Sequence, residues 1–434
     1  MEKTVNSALF DFIAACPSAL HTADTLAKRL AAEGYTELFE SEQWRLSPAG
    51  RYFTRRGGSA LIAFRAPAGG LESYMIMAAH GDSPAFKVKE SAETANDGYR
   101  RVCVEKYGGM LCATWLDRPL SVAGRVLLRC GAGLESRLVN IDRDLMLIPN
   151  VAIHMDRSAN DGKKYDANVD MLPLLGHAAG DAGLDRLIAD ELGVSVEDIV
   201  SRELTVYCRS AGRVWGADGE FISAPRLDDL QCVFGCMEGF LKAKESASAP
   251  VLCVFDNEEV GSGTKQGADS DFLSAVLRRV WAGLGLDENA YLPALANSFM
   301  VSADNAHAVH PNHPEYADRN DRPKMNGGVV IKYNANQKYT TDALSAAVFA
   351  EICRRAGVQT QRFTNRADLA GGSTLGNISS AHVSIDTVDI GLAQLAMHSA
   401  YETAGARDTA ALIRAAEVFF GSALRRRGDK VEII

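Results

Sequence analysis

Apolar residues recur at three- and four-residue steps through residues 4–15 and again through 19–33, which predicts two amphipathic helices separated at Pro17. Residues 51–64 read as two strands around Gly57-Gly58. The apolar run at 72–80, ESYMIMAAH, predicts a buried strand that ends in His80-Gly81-Asp82-Ser83-Pro84. Between 92 and 225 the texture changes. Short alternating runs at 101–106, 110–115, 122–130 and 203–209 are broken by Gly and Asp. Gly108-Gly109 predicts a hairpin turn, and only 184–200 has a helical period. This segment reads as a mostly antiparallel β unit.

From 226 onward helices and strands alternate. Leu230, Val233, Phe234, Met237, Phe240 and Leu241 form one helical stripe. Val251–Phe255 is a fully apolar strand, followed by a helix at 271–284 and a strand at 298–303 that ends at Asp304. Strands are predicted at 329–333, 358–364 and 382–390. Helices are predicted at 341–356, with Thr341 or Asp342 as N-cap and Gly357 as stop, and at 407–424. The expected fold is α/β, a mixed and largely parallel sheet with helices on both faces, interrupted by a β-rich insertion. The expected parts are 1–91 and 226–434 for the main unit and 92–225 for the insertion.

Composition narrows the function. Lys and Arg number 46 against 55 Asp and Glu, a net charge of −9, and the only basic run is Arg425-Arg426-Arg427. A nucleic-acid partner is therefore not expected. Nine cysteines are present and none forms C-x-x-C. The segment MEKTVNSALFDFIAACPS reads as an amphipathic helix rather than a signal peptide, and no run is long and apolar enough to span a bilayer. A cytoplasmic protein with reduced thiols and no membrane contact is expected.

The chemistry gathers at the ends of predicted elements. The stretch VLCVFDNEEVGSGTKQG, 251–267, places Asp256, Glu258 and Glu259 after a buried strand. Buried carboxylates need a cation or a base beside them. His80, Asp82, Asp228, Glu258, Glu259, Asp304 and His398 all fall at such ends and carry the N and O atoms that zinc accepts. Five of them suffice for two ions if one carboxylate bridges, and the sixth acid is left as a base. In His80-x-Asp82 the acid can hold the second ring nitrogen. Glu258 and Glu259 are adjacent, so in an extended chain one can face the metal while its neighbour faces the substrate water. His307, His310 and His313 mimic a zinc box, but Pro311 and Pro314 break any helix that could align them, so they are not expected to bind metal.

The motifs AHGDSP (79–84), PRLDDL (225–230), FDNEEVGSGTKQGADS (255–270), SADNAHAVHPN (302–312), IKYNANQKYTT (331–341) and MHSAYE (397–402) together closely resemble the aspartyl aminopeptidase family of di-zinc metallopeptidases. The resemblance runs through almost the whole chain, in the family's order. It implies that His80, Asp228 and Asp304 hold one zinc and that Asp228 bridges to a second zinc held by Glu259 and His398. It further implies Glu258 as general base, Asp82 as the residue orienting His80, and Lys332 near the substrate. The segment VAIHMDR makes His154 the histidine that the family lends to a neighbouring subunit's site. The resemblance also implies that the β-rich insertion is a dimerisation domain and that dimers build a dodecamer. Two departures stand out. Leu369-Ala370 replaces an expected Met-Pro, and Asp229 replaces an expected Asn.

The expected activity is removal of the N-terminal residue from peptides with a free N-terminus, by a water bridging the two ions with Glu258 as its base. A preference for N-terminal Asp or Glu requires a cation in the pocket. Lys332 is the main candidate, with Lys87 and Arg366 behind it. The alternatives are a neutral, leucine-type di-zinc aminopeptidase, a metal-dependent deacylase, and a non-catalytic assembly protein that keeps the fold.

Overall fold

The computed structural model describes residues 2–181 and 183–434. Its largest element is a 13-stranded mixed sheet. Four strands at its centre run parallel, in the order Ser248–Phe255, Ser73–His80, Phe299–Ala303 and Asp386–Leu395. Every residue of Ser73–His80 and Ser248–Phe255 is buried, as unbroken apolar runs require when both faces of a sheet are covered. Antiparallel strands flank this centre. Ala60–Arg65 pairs with Ser248–Phe255, and Val329–Tyr333 pairs with Asp386–Leu395.

The two-residue period of the strands divides the core. Met75, Met77 and Ala79 face the helices Glu2–Ala15, Ala19–Ala32, Leu227–Lys242, Ala343–Arg355 and Asp408–Phe420. Tyr74, Ile76 and Ala78 face the opposite layer, which includes helix Phe272–Gly283. The helix Ala343–Arg355 starts in a capping box, with the Asp342 side chain on the Ser345 backbone N–H and the Ser345 side chain on that of Asp342. The α/β class with helices on both faces is therefore the observed one.

A second, six-stranded sheet is wholly antiparallel, in the order Gly133–Asn140, Leu120–Cys130, Ile199–Cys208, Ala85–Asn96, Tyr99–Tyr107 and Leu174–His177. It has its own apolar core, built around Phe86, Trp115, Val122, Val126 and Val206. The chain then returns to the large sheet through Arg213–Trp215 and Phe221–Ala224.

Five local expectations need correction. Gly108-Gly109 is not a hairpin. After Tyr107 the chain leaves the sheet, makes a 3₁₀ turn at Cys112–Trp115 in place of the strand expected over 110–115, and joins a strand three places away in the sheet order. The helix expected over 184–200 stops at Leu192. Gly193 takes a left-handed conformation (φ 64°), and its N–H closes on Ala189 and Asp190 before the strand from Ile199 begins. The strand expected at 382–390 is Asp386–Leu395, because residues 382–385 finish the turn after helix Leu375–Ser379. Glu258 and Glu259 do not diverge by strand alternation. They lie in a 3₁₀ turn, Glu258–Val260, flanked by left-handed Asn257 (φ 63°) and Gly261 (φ 94°).

Candidate metal centre

The parallel register levels the strand ends. Phe255 pairs with His80, and Ser302 pairs with Ala78, so His80, Asp256 and Asp304 emerge at the same edge. Ligands at the carboxyl edge of a parallel sheet are what this topology favours. Asp228 and Asp229 arrive from the start of helix Leu227–Lys242, where both residues have non-helical φ/ψ. His398 follows the strand Asp386–Leu395 in a left-handed conformation (φ 68°).

Three groups of ligand atoms lie within 4.8 Å of one another: His80, Asp228, Asp229 and Asp304; His80, Glu258 and Glu259; and Asp228, Glu259 and His398. Asp228 divides its two oxygens. Oδ1 lies 3.8 Å from His80 Nε2, and Oδ2 lies 3.4 Å from His398 Nε2. Asp304 Oδ1 completes the first side at 3.9 Å from His80 Nε2, and Glu259 Oε2 the second at 3.3 Å from His398 Nε2. The residues assigned as ligands and as base from sequence thus share one cluster.

Burial and charge together shift the proton affinities of several groups in the cluster. Burial, reinforced by the neighbouring carboxylates, pushes Glu258 up to about 8 and Glu259 well above the usual range. Burial would lower both histidines, but the acids outweigh it and raise His80 strongly and His398 to about 10. Burial would raise Asp304, yet Lys332 and His80 hold it low. Asp228 Oδ1, Asp229 Oδ1 and Glu259 Oε1 are buried without a hydrogen-bond partner. Orphaned carboxylate oxygens among protonated imidazoles fit a divalent ion, which would displace those protons.

Outer contacts fix the candidate ligands. The Nδ1 of His80 lies 3.1 Å from the Asp82 carbonyl oxygen, and the Nδ1 of His398 lies 2.8 Å from that of Gly109. Carbonyls only accept, so both rings donate from Nδ1 and turn Nε2 to the acids. Asp82 holds His80 chiefly through its backbone, with its carboxylate Oδ1 3.4 Å from the ring. That carboxylate also accepts the N–H groups of Glu258 and Glu259, each at 3.2 Å.

Sequence reasoning gave no role to Tyr107 or Glu402. Glu402 is buried and accepts the N–H of Asp228 at 2.9 Å and of His398 at 2.7 Å. Its only local signal is its place four residues after His398. Asp229, noted as a departure, accepts the His80 N–H at 3.2 Å.

A pocket of about 280 Å³ opens over the cluster, walled by Asp228, Glu258, Asp304, Lys332, Thr374 and His398 among others. Lys332 is buried there, with Nζ 2.8 Å from the Asp304 carbonyl oxygen. Lys87 lines a different cavity, and Arg366 is bound to Glu315 and Asp368 beside a neighbouring pocket. His307 reaches the pocket wall, but none of His307, His310 and His313 joins a metal-capable group among the described residues. His154 lies in an exposed loop and is not on the pocket wall. The nine cysteines are all free, and no described helix is long and apolar enough to cross a membrane.

Residues 12–420 match the model of the aminopeptidase I zinc metalloprotease (M18) family. A probable M18 family aminopeptidase 2 from Clostridium acetobutylicum is 44% identical over 421 residues, covering 95% of this chain and 97% of the relative. The chain superposes on Ape4 in a cryo-EM structure of the Ape4 and Nbr1 complex with a TM-score of 0.94 at 34% identity, covering 97% of this chain and 86% of that one. It also superposes on the S. cerevisiae mApe1 dodecamer with a TM-score of 0.84 at 27% identity, covering 96% of each chain. The chain therefore belongs to the M18 family of zinc metallo-aminopeptidases, hydrolases that act on peptides.

Proposed function

We propose that this chain binds two divalent ions, most readily zinc, and removes the N-terminal residue of peptides with a preference for Asp or Glu. The observation that carries the two-ion reading is the split of Asp228 between the two histidines. His80, Asp228 and Asp304 form one ligand set, and Asp228, Glu259 and His398 form the other. Bound zinc supplies Lewis acidity toward the scissile carbonyl and acidifies an attacking water.

The chain's own residues do the rest. Glu258 takes the proton of the attacking water and returns it to the leaving amine. Its raised affinity for a proton, caused first by burial, suits both halves of that cycle. Asp82 holds the Glu258–Glu259 turn and His80 in place. The acidic cluster receives the substrate's free α-amine, which restricts cleavage to the first residue. Lys332 is the only Lys or Arg on the described pocket wall and is the partner for an acidic first side chain.

The exposed apolar residues Val151, Ile153 and Met155 flank His154 in sequence. They support an interface between copies that carries His154 to a neighbour's site, with the second sheet as the dimerisation unit and dimers building a dodecamer. The free thiols support a reducing, cytoplasmic setting.

The test is a panel of Asp, Glu, Leu, Ala and N-acetyl-Asp reporters, with and without chelator. Chelator-insensitive turnover sinks the metal reading. Leu turnover above Asp and Glu replaces the acidic preference with the neutral one, and N-acetyl-Asp turnover replaces the aminopeptidase with a deacylase.

A further inference from the structure

Tyr107 closes a strand of the second sheet, yet its hydroxyl sits behind the candidate metal centre of the first, against Asp82 and Asn257. It donates to Asp82 Oδ2 at 2.6 Å and accepts from Asn257 Nδ2 at 2.9 Å. The direction of these bonds is fixed by the neighbours. Asn257 Oδ1 already accepts Thr264 Oγ1 at 2.8 Å and Gln266 Nε2 at 3.0 Å, so its amide N–H points at the phenol. The single phenolic proton then goes to Asp82. The ring is held from the other side by Lys87, whose Nζ lies 5.1 Å from the ring centroid.

The next residues press on the same centre. Gly108 has φ +75°, and a Cβ there would stand 3.1 Å from the Glu259 Cβ. The Gly109 carbonyl accepts His398 Nδ1 at 2.8 Å, and the Leu111 N–H donates to the His398 carbonyl at 3.0 Å. The segment 107–111 therefore touches Asp82, Glu259 and His398 together. Glycine is needed where the backbone must come this close.

We propose that Tyr107 is a positioning residue for the reaction, acting through Asp82, and that the second sheet thereby completes the metal centre of its own chain. The Asp82 carboxylate is the hub, because the Glu258–Glu259 turn hangs from it by two N–H bonds and His80 leans on it. Without the phenolic proton the carboxylate keeps only those two long N–H bonds and the contact with His80, and the common anchor of base and ligands is loosened. The inference rests on the two-ion reading above.

The test uses Tyr107→Phe, which keeps the ring and its packing, beside Asp82→Asn, the double variant, and Asn257→Asp. In the last, the phenol meets a second carboxylate that competes for its proton. Each zinc-loaded protein is dialysed against graded chelator and its metal content read. The cobalt(II)-loaded forms are compared by visible absorption, and kcat and KM are measured separately.

Tyr107→Phe is expected to lose metal at about tenfold lower chelator, shift the cobalt band and lower kcat with KM nearly unchanged, the scale usual for partners of metal ligands. The melting temperature of its metal-free form is expected to hold. Asn257→Asp reproduces the loss in part, and it carries the test alone if Tyr107→Phe does not fold. The double variant is expected to be no worse than Asp82→Asn. If Tyr107→Phe matches the parent while Asp82→Asn loses metal, the inference falls and the two-ion reading stands. Full additivity of the two changes also overturns it. A parent protein that retains no metal overturns the two-ion reading and this inference with it.

Discussion

Lys332 Nζ donates to the backbone carbonyl of Asp304 at 2.8 Å and lies 3.3 Å from the same residue's carboxylate. One buried cation therefore serves a proposed metal ligand and faces the pocket. Replacing it with Met keeps the stem and removes the charge. Lys332→Met is expected to weaken metal retention. It is also expected to lower kcat/KM for an Asp reporter about 10- to 100-fold more than for a Leu reporter, the scale of one hydrogen bond to a charged group. Equal losses on both reporters would confine Lys332 to holding Asp304.

Glu258→Gln removes the proton carrier and leaves the ligand sets whole. kcat is expected to fall by about 10²- to 10⁴-fold, the range of general acid–base catalysis. Metal content by elemental analysis is expected to match the parent, and so is the melting temperature. A variant that loses its metal would move Glu258 from base to ligand.

Glu402→Gln tests the anchor behind two of the proposed ligands, Asp228 and His398. The carboxylate accepts one N–H on each oxygen, from Asp228 and from His398, and an amide nitrogen cannot accept either. One buried N–H is left without a partner, at a cost of about 1–3 kcal/mol. Urea unfolding of the metal-free protein is the measurement. An unchanged midpoint would show that the loop 397–402 relaxes around the change.

Stability of the metal-free protein is expected to fall as pH rises from 6 to 8. Folded Glu258 and Glu402 titrate at about 8 against an ordinary 4.5, because burial disfavours their charge. His398 titrates at about 10 against 6.5. In this window the folded chain holds protons that the unfolded chain has released, so raising the pH favours unfolding. Asp82 and Asp304 shift downward from 3.8 and act only below this window. Zinc replaces the bound protons, so its gain in melting temperature is expected to be larger at pH 8 than at pH 6. Thermal scans with and without chelator check both signs.

If His154 acts across an interface, an inactive His154→Ala protein mixed with inactive Glu258→Gln is expected to regain turnover after subunit exchange. Each mixed pair then holds one site with its own Glu258 and its neighbour's His154. No recovery would return His154 to a surface role.

The central strands were legible because VLCVF and MIMAA are apolar without a break, and only a strand covered on both faces needs that. The clustering of His80 and Asp304 was legible for the same reason, since a side chain that follows such a run is carried to one edge of the sheet. Other features had no local signature. Tyr107 meets Asp82 and Asn257 across long separations, and nothing in VEKYGGM marks the pairing. Glycines mislead when read as turns. Gly108-Gly109 serves close approach rather than reversal, whereas Gly193 ends a helix whose apolar period continues past it. Strand alternation does not apply to Glu258 and Glu259, because the left-handed Asn257 ends the strand before them and both lie in the 3₁₀ turn beside His80.

The chain departs from the large sheet just after His80 and re-enters it just before Asp228, and these two side chains face each other at 3.8 Å. The stretch 81–212 is thus an excursion from the large sheet whose two ends return beside the site. Closure entropy grows only slowly with loop length, about 0.6 kcal/mol per doubling. The second sheet can therefore gain or lose strands at its far side almost without cost to the geometry at those two ends, provided residues 107–111 keep their place. If the second sheet carries the interface between copies, as proposed, assembly and chemistry lie on one continuous chain and meet at residues 107–111.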